Sequence, residues 1–332
     1  MAQDFPMRQL GKSGPSVTAT GWGAMGLSAF YGPKATDEER LNFLDSVYQS
    51  GITFWDTSDY YGDSEELLGK WFARSGKRNE IFLATKFGAI EGGAPEQVNK
   101  SCKASLKRLG VDTIDLYYYH RMDRVTPIEK TVQAMADLKR AGMVRYLGLS
   151  ECSATSIRRA YKIHPISAVQ VEYSPFSMEI EDPKINVLQT CRELGVALVA
   201  YSPLGRGFLG GKFRSPDDFS EGDIRRVFPR FSAENFDTNV KLVEALEEVA
   251  QRKGVKISSL TLAWLLAQGE DIIPIPGTTK LENLANNKQS VVIQLSDDEN
   301  REIREAIQRA VVVGSRYHQH AMASLFADTP TL

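Results

Sequence analysis

The chain has 332 residues, of which 42% are hydrophobic and 25% are charged, which suits one large domain or two ordinary ones. Its 40 basic and 42 acidic residues give a formal net charge of −2, so charge gives no reason to expect a nucleic-acid or anionic-membrane partner. No apolar run approaches the ~20 residues of a membrane span, and the N-terminus lacks a secretory pattern. Three cysteines and four scattered histidines match no disulfide framework or metal site, so we expect a cytoplasmic protein with reduced thiols and no metal.

The first elements along the chain are a hairpin and a glycine-rich strand end. Short β-prone segments flank residues 11–14, which is a hairpin signal. Residues 21–26 then match the G-x-G-x-x-G pattern of dinucleotide-binding folds, but that pattern must open a helix directly. Here a loop with Pro33 follows instead. We therefore interpret these glycines as permitting close backbone approach at the end of a first strand.

From Thr36 onwards, predicted helices and strands alternate. Strands are expected near Thr20 and ending at Trp55, Lys86, His120, Leu149, Val171, Ala200 and Pro274. Helices are expected at about 37–49, 64–74, 95–108, 127–140, 154–162, 183–193, 237–252, 258–267, from 281, and at 297–310, with a long loop over 201–235. Such alternation implies a parallel sheet. Eight units favour a (β/α)8 TIM barrel over an open sheet, with an N-terminal β-hairpin and additional C-terminal helices, in a single domain spanning residues 1–332.

Four polar side chains fall at or just beyond the predicted ends of three successive strands. Asp56, Lys86 and His120 end three strands, and Tyr61 lies in the loop after the first of them. Barrel active sites lie at the carboxyl ends of the strands. A phenol has an ordinary pKa of about 10, and a nearby ammonium would help it to act as an acid. Taken singly, each residue also has a structural interpretation: a packed loop tyrosine, a buried ion pair or a core histidine.

These four residues, in this order, resemble the catalytic tetrad of the aldo-keto reductase family. The resemblance covers nearly the whole chain and includes the motifs ATKFG at 84–88, IDLYYYHR at 114–121, GLSE at 148–151, QVEYSPF at 170–176, YSPLGRG at 201–207 and IPGTTKLENLANN at 275–287. Segments 115–121 and 262–269 are similar to those of fungal-type reductases. The resemblance implies the same barrel and hydride transfer from NADPH to a carbonyl carbon. Tyr61 would be the general acid, Lys86 would lower its pKa, Asp56 would hold Lys86, and His120 would donate to the carbonyl oxygen.

The resemblance also implies a cofactor site. Ser150 and Gln170 would hold the nicotinamide carboxamide, and Tyr201 would stack on its ring. A loop over the pyrophosphate would comprise Ser202, Leu204, Gly205 and Gly207, and a 2′-phosphate and adenine site would comprise Gly277, Thr279, Lys280, Asn283, Asn286 and Asn287. A positive charge at Lys280, before a helix N-terminus, favours NADPH over NADH. A plain surface loop and a solvated lysine are the structural alternatives.

Several points stay open at this level. Glu151 stands where many relatives have Asn, and Arg225, Arg226 and Arg230 could touch phosphate. Substrate selection is expected from loop residues beside the site, which could equally be rim packing: Trp22, Phe30, Tyr31, Trp55, Arg121 and Met122. Aromatic lining would suit aryl or apolar aldehydes, and the tail around Phe326 could close the pocket. An NADPH-binding channel β subunit and a dedicated biosynthetic reductase are alternatives; the former resembles this chain but has Asn at the position of His120.

Overall fold

The structure, a computed structural model, describes residues 5–332. At its centre, eight strands pair in parallel, each with the next along the chain. They are β3 (Trp22–Gly23), β4 (Phe54–Asp56), β5 (Phe82–Phe87), β6 (Ile114–Tyr119), β7 (Val144–Ser150), β8 (Ala168–Glu172), β9 (Ala197–Tyr201) and β10 (Ile272–Pro274). The N–H of Gly21 donates to the carbonyl of Pro274 at 2.9 Å, which joins the first strand of the series to the last. The expected (β/α)8 barrel is confirmed.

Helices connect the strands and surround the barrel. They are α1 (Asp37–Gln49), α2 (Ser64–Ser75), α3 (Pro95–Leu109), α4 (Ile128–Arg140), α5 (Ala154–Ile163), α6 (Val187–Leu194), α7 (Ala233–Lys253), α8 (Ile257–Ala267), α9 (Leu281–Gln289), α10 (Asp297–Arg309) and α11 (Gln319–Met322). The expected caps are present: Thr36 forms a capping box with Glu39, and Gly110 ends α3 at a φ of 63°. In the part of the chain that the structure describes, no helix is long and apolar enough to cross a membrane.

The expected N-terminal hairpin closes the amino-terminal end of the barrel. It consists of β1 (Met7–Gln9) and β2 (Ser16–Thr18), which pair antiparallel. The guanidinium of Arg8 donates to the carbonyl of Ile272 at 2.5 Å, at the start of β10. Leu10 and Val17 pack into the interior core with Phe54 and other strand residues. The opposite end, where the strands finish, is therefore the one left to carry a site.

The glycine-rich segment at 21–26 behaves as the sequence analysis expects. A Cβ atom at Gly21 would lie 2.8 Å from a side-chain carbon of Ile275 and 2.9 Å from the ring of Phe54. Only glycine allows this approach. No α-helix opens after it; the short 3₁₀ turn Met25–Leu27 follows instead.

Three boundaries differ from the expectation. α6 begins at Val187 rather than near 183, because Asn186 adopts a left-handed φ of 54° immediately before it. α7 begins at Ala233 rather than near 237. The segment expected as a loop over 201–235 contains short 3₁₀ helices at Gly205–Gly210, Pro216–Asp218, Ile224–Val227 and Pro229–Phe231. Its aromatic residues supply the cause, since Phe208, Phe219 and Phe231 pack on one another and are buried.

The C-terminal tail runs back over the carboxyl end of the barrel. After α10, the side chain of Arg316 reaches Glu151 and Glu172, both buried at the ends of β7 and β8. Further on, the N–H of Ala327 donates to the carbonyl of Glu151 at 2.9 Å. The tail therefore lies directly beside the strand ends, and Phe326 packs against the Arg316 guanidinium, 5.0 Å from the centre of its ring.

Candidate active site

The structure brings the four expected catalytic side chains together at the carboxyl end of the barrel. Lys86 lies at the centre of the group. Its ammonium donates to the Asp56 carboxylate at 2.5 Å, to the carbonyl of Thr57 at 2.7 Å and to the Tyr61 hydroxyl at 3.4 Å. These contacts use all three ammonium donors.

Burial makes this ion pair unusual. Lys86 has no exposed surface and Asp56 is 2% exposed. A buried charge is costly unless it is paired and its remaining hydrogen-bonding groups are satisfied. The second Asp56 oxygen accepts from the Gln170 amide at 2.8 Å, which completes the pair. Burial alone would lower the pKa of Lys86, but the Asp56 carboxylate raises it above its ordinary value.

The Lys86 ammonium acts on the Tyr61 phenol in the expected direction, but a larger influence opposes it. Burial raises the pKa of the Tyr61 phenol, and the Lys86 ammonium acts in the opposite direction without overcoming it. Sequence alone identified the ammonium but not the extent of desolvation. The consequence is that Tyr61 keeps its proton at neutral pH, with its hydroxyl 3.4 Å from the Lys86 ammonium.

His120 follows β6 and lies against Tyr61, with ring centres 5.8 Å apart in an edge-to-face arrangement. Burial, together with the Arg121 and Lys86 charges, lowers the pKa of His120 well below its ordinary value. The ring is therefore neutral at physiological pH. Its Nδ1 atom is 3.1 Å from the Ser58 hydroxyl. The Ser58 hydroxyl has one proton, which it can donate either to His120 or to Asp59. When it donates to His120, the imidazole proton resides on Nε2 and is available as a donor.

Asp59, two residues before Tyr61, supplies a pH-dependent prediction. Burial and the neighbouring Glu65 raise the pKa of Asp59 to about 7, against Arg108 and a 3.3 Å hydrogen bond from Ser58. Between about pH 4 and pH 7 the unfolded chain thus binds fewer protons than the folded one, and stability falls as pH rises. We expect Asp59→Asn to remove this loss of folding stability at higher pH.

The measurement is urea unfolding of wild type and variant at pH 5 and pH 8. The variant should gain about 2 kcal/mol relative to wild type on going from pH 5 to pH 8. Asp112→Asn, at an exposed aspartate, is the matched control and should show no such gain. Equal pH dependence in wild type and Asp59→Asn would contradict the prediction.

The expected nicotinamide residues lie on the next three strands. Ser150 ends β7, and its hydroxyl accepts from Arg121 at 3.1 Å. Gln170 lies in β8 and donates to Asp56, which links it to the catalytic group. Tyr201 ends β9, and its hydroxyl donates to the buried Glu151 carboxylate at 2.8 Å. All three therefore surround the same mouth as the four catalytic candidates.

The expected pyrophosphate loop is a series of tight turns. Ser202, Gly205, Arg206 and Gly207 adopt positive φ values of 46°, 54°, 58° and 87°. Leu204, at a φ of −106° and a ψ of 24°, is followed by left-handed Gly205, and a right-handed residue followed by a left-handed one is a common anion-binding geometry. Leu204 is half-buried in the same turn. The N–H groups of Gly205 and Gly207 donate to the carbonyls of Ser202 and Leu204, so pyrophosphate binding by this loop is still a prediction.

The expected adenine and 2′-phosphate residues lie around the start of α9. Gly277, Thr279 and Lys280 are exposed, and Lys280 is the residue immediately before the helix. Asn283 and Asn286 are half-buried, and Asn287 is buried. Within residues 5–332 the Asn287 side-chain oxygen accepts no hydrogen bond. A cofactor could provide the missing donor.

The three arginines whose roles the sequence left open make contacts within the protein. Arg225 pairs with Asp223, Arg226 donates to the carbonyl of Phe219, and Arg230 donates to Phe176, Ser177 and Glu179. Trp22 and Trp55 do not line the site, because both are buried in the layer between strands and helices. At the rim, Phe30 instead packs on Tyr60 with ring centres 5.9 Å apart.

Sequence reasoning left Glu151 unassigned and missed its partners. Glu151 is fully buried at a φ of 50°, accepts from Tyr201, and lies 3.4 Å from Arg316. Arg316 is also 3.3 Å from Glu172. No local motif marks a pair separated by 165 positions.

Across residues 5–332, no group of three or more His, Cys, Asp or Glu side chains could hold a metal ion.

Comparison with known proteins agrees with this geometry. The model of the aldo/keto reductase family matches residues 21–308. The chain is 49% identical to aldo-keto reductase str7 of Strobilurus tenacellus over 336 residues, which cover 99% of each protein. It is also 49% identical over 339 residues to an aldo-keto reductase of Schizosaccharomyces pombe, yakc, whose name includes NADP(+). This match again covers 99% of each protein.

Two solved structures share the fold. A thermostable aldo-keto reductase in complex with the inhibitor epalrestat has a TM-score of 0.76 and 31% identity, covering 91% of this chain and 100% of that one. The glycerol dehydrogenase of Gluconobacter oxydans has a TM-score of 0.83 and 25% identity, covering 95% and 98%. The tetrad geometry and the match to the family model over residues 21–308 lead to one conclusion: this chain belongs to the aldo/keto reductase family.

Proposed function

We propose that the protein is an NADPH-dependent reductase of aldehydes and ketones, with Tyr61 as general acid. The observation that carries the proposal is the Lys86 ammonium, buried between the Asp56 carboxylate and the Tyr61 hydroxyl at the mouth of the barrel. The name of the NADP(+) relative from Schizosaccharomyces pombe supports the choice of cofactor. Bound NADPH supplies the hydride.

The roles of the protein groups follow from where charge develops. Negative charge grows on the carbonyl oxygen during reduction, and donors aimed at it lower the barrier. Tyr61 would donate the proton, and a neutral His120 would donate a hydrogen bond from Nε2. Lys86 would stabilise the phenolate that remains, and Asp56 with Gln170 would keep Lys86 in place.

The cofactor roles are also proposals. Ser150 and Gln170 would bind the carboxamide, and Tyr201 would stack on the nicotinamide. The turns at 202–207 would bind the pyrophosphate, and the three asparagines of α9 would bind the adenine. Two features support this fit: the run of left-handed residues in the loop and the unsatisfied oxygen of buried Asn287.

Aromatic or apolar aldehydes are the proposed substrates. Phe30 and Tyr60 form an aromatic wall, and the Tyr60 ring also lies edge-on to His120 with centres 6.5 Å apart. Aromatic side chains of this kind suit a planar apolar ligand. A panel of aldehydes and ketones with NADPH and with NADH, followed by the absorbance of the reduced cofactor, tests the function. No oxidation of NADPH with any carbonyl compound would refute it.

The preference for NADPH gives a separate prediction for Lys280. A 2′-phosphate bound by this exposed ammonium gains a charge-assisted hydrogen bond that NADH cannot make. We expect Lys280→Met to weaken NADPH binding by about 10-fold and to leave NADH binding unchanged. Fluorescence titration with both cofactors measures this.

Lys288→Met is the matched control, since Lys288 is exposed near the other end of α9. That variant should bind both cofactors like the wild type. Equal weakening of NADPH and NADH in Lys280→Met would show that the lysine does not recognise the 2′-phosphate.

A further inference from the structure

Arg121 follows His120 directly, and its side chain turns back into the mouth of the barrel. One terminal nitrogen donates to the carbonyl of His120 at 2.8 Å and to the Ser150 hydroxyl at 3.1 Å. The guanidinium carbon lies 5.9 Å from the centre of the Tyr201 ring. Arg121 therefore lies between the proposed catalytic residues and the proposed nicotinamide residues.

Its guanidinium forms no direct ion pair in the part of the chain that the structure describes. Within residues 5–332, no carboxylate oxygen lies within 4.0 Å of an Arg121 nitrogen. The nearby Glu151 carboxylate is occupied by the Tyr201 hydroxyl and by Arg316. Four other arginines at this end of the barrel each approach a carboxylate within 4.0 Å; they are Arg206, Arg225, Arg230 and Arg316. Arg124 and Arg226 donate to backbone carbonyls instead, so Arg121 differs from them by its place beside the proposed catalytic residues.

The unused donors of Arg121 remain open to a ligand. Both side-chain hydrogen bonds of Arg121 come from one terminal nitrogen, so within residues 5–332 Nε and the other terminal nitrogen have no protein acceptor. Neither atom is sealed from solvent, so both are accessible to a ligand. Two adjacent guanidinium donors match the geometry of a carboxylate. Burial opposes the Arg121 charge, although Tyr201, Tyr317 and Glu151 raise the pKa of Arg121 overall, and an anionic ligand would stabilise that charge further.

Arg121 is also within electrostatic reach of the reacting groups. Its charge acts to lower the pKa of both Tyr61 and His120, although burial is the larger influence on each. A carbonyl compound placed against Tyr61 could therefore extend a short anionic arm to Arg121. The aromatic wall of Phe30 and Tyr60 stands at the same mouth, which suits a ring between the two groups.

We propose that Arg121 determines specificity by binding a carboxylate on the carbonyl substrate, so that the preferred substrates are aldehydes or ketones that carry an acidic group. This inference rests on the proposed reductase function. The same chemistry could serve a phosphate of the cofactor. We place the anion on the substrate because Arg121 contacts Ser150 and Tyr201, at the nicotinamide end of the proposed cofactor site.

The test compares Arg121→Met with wild type on matched aldehydes. The substrates are 3- and 4-carboxybenzaldehyde, which hold the acid at two distances, and the corresponding methylbenzaldehydes. For at least one acid, kcat/KM should fall about 10- to 100-fold in the variant through KM, as expected for loss of a charge-assisted contact. The methyl compounds report any effect of the Arg121 charge on Tyr61 and His120, and their loss should be much smaller than that of the acid. Arg121→Lys should recover part of the loss for the acid.

Two further measurements separate the possible failures. NADPH affinity, measured by fluorescence titration, should be unchanged; a loss of NADPH affinity with no discrimination between acid and methyl compounds would place the anion on the cofactor. Calorimetric binding of the unreactive 4-methylbenzoate to the NADPH complex should be lost in Arg121→Met even if no aldehyde is reduced. Equal losses for acid and methyl aldehydes, or benzoate binding unchanged by the substitution, would overturn the inference without touching the proposed function.

Discussion

Tyr61→Phe should reduce turnover of aldehydes by about 10²- to 10⁴-fold, the range for loss of a positioned general acid. The substitution removes one oxygen and keeps the ring that packs against His120. It also removes a hydrogen-bond partner of Lys86, but the Asp56 and Thr57 contacts of that ammonium remain. The fold and the affinity for NADPH should therefore stay close to wild type.

Steady-state kinetics with NADPH and an aromatic aldehyde measure the loss, and fluorescence titration checks cofactor binding. Tyr60→Phe is the matched control, because Tyr60 carries the same phenol one residue away and is 45% exposed. That variant should keep most of its activity. Turnover in Tyr61→Phe equal to that in Tyr60→Phe would remove Tyr61 from the proposed mechanism.

Lys86→Met should be the most destabilising single change at the site. It leaves the Asp56 carboxylate buried with only the Gln170 amide as partner. Breaking a buried pair by removing one member costs about 3–5 kcal/mol, because the remaining charge is uncompensated. Activity should be lost as well, since no ammonium then stabilises the Tyr61 phenolate.

The two effects can be separated with a second substitution. Lys86→Met with Asp56→Asn removes both charges, and we expect it to recover much of the unfolding free energy but none of the activity. Lys70→Met is the matched control: its pair with Asp37 also measures 2.5 Å, yet Lys70 and Asp37 are 59% and 45% exposed. An exposed pair contributes about 1 kcal/mol or less. Equal destabilisation of Lys86→Met and Lys70→Met in urea would contradict the argument from burial.

The sequence was sufficient to predict the barrel and the meeting of Asp56, Tyr61 and Lys86. Strand ends in a parallel barrel all face the same way, so residues at those ends are neighbours wherever they lie in the chain. Ser150, Gln170 and Tyr201 were predicted from the resemblance to the aldo-keto reductase family, and they lie on the next three strands at this mouth.

What the sequence did not predict depends on packing. Trp55 was expected beside the site, but successive strand residues point to opposite faces, so Trp55 lies outside the barrel when Asp56 points in. The raised pKa of Tyr61 arises from desolvation, which is a property of the assembled mouth. The contact of Arg316 with Glu151 joins segments 165 positions apart, and no periodicity indicates it.

That last contact has a consequence for biosynthesis. Until residue 316 has left the ribosome, Glu151 and Glu172 lack the guanidinium that approaches both of them in the finished protein. The barrel strands, which end at Pro274, are all synthesised earlier. A nascent chain can thus complete its strands while the nicotinamide side of the mouth still holds two carboxylates without this partner. The pocket would then be completed only after residues 275–316 have been translated.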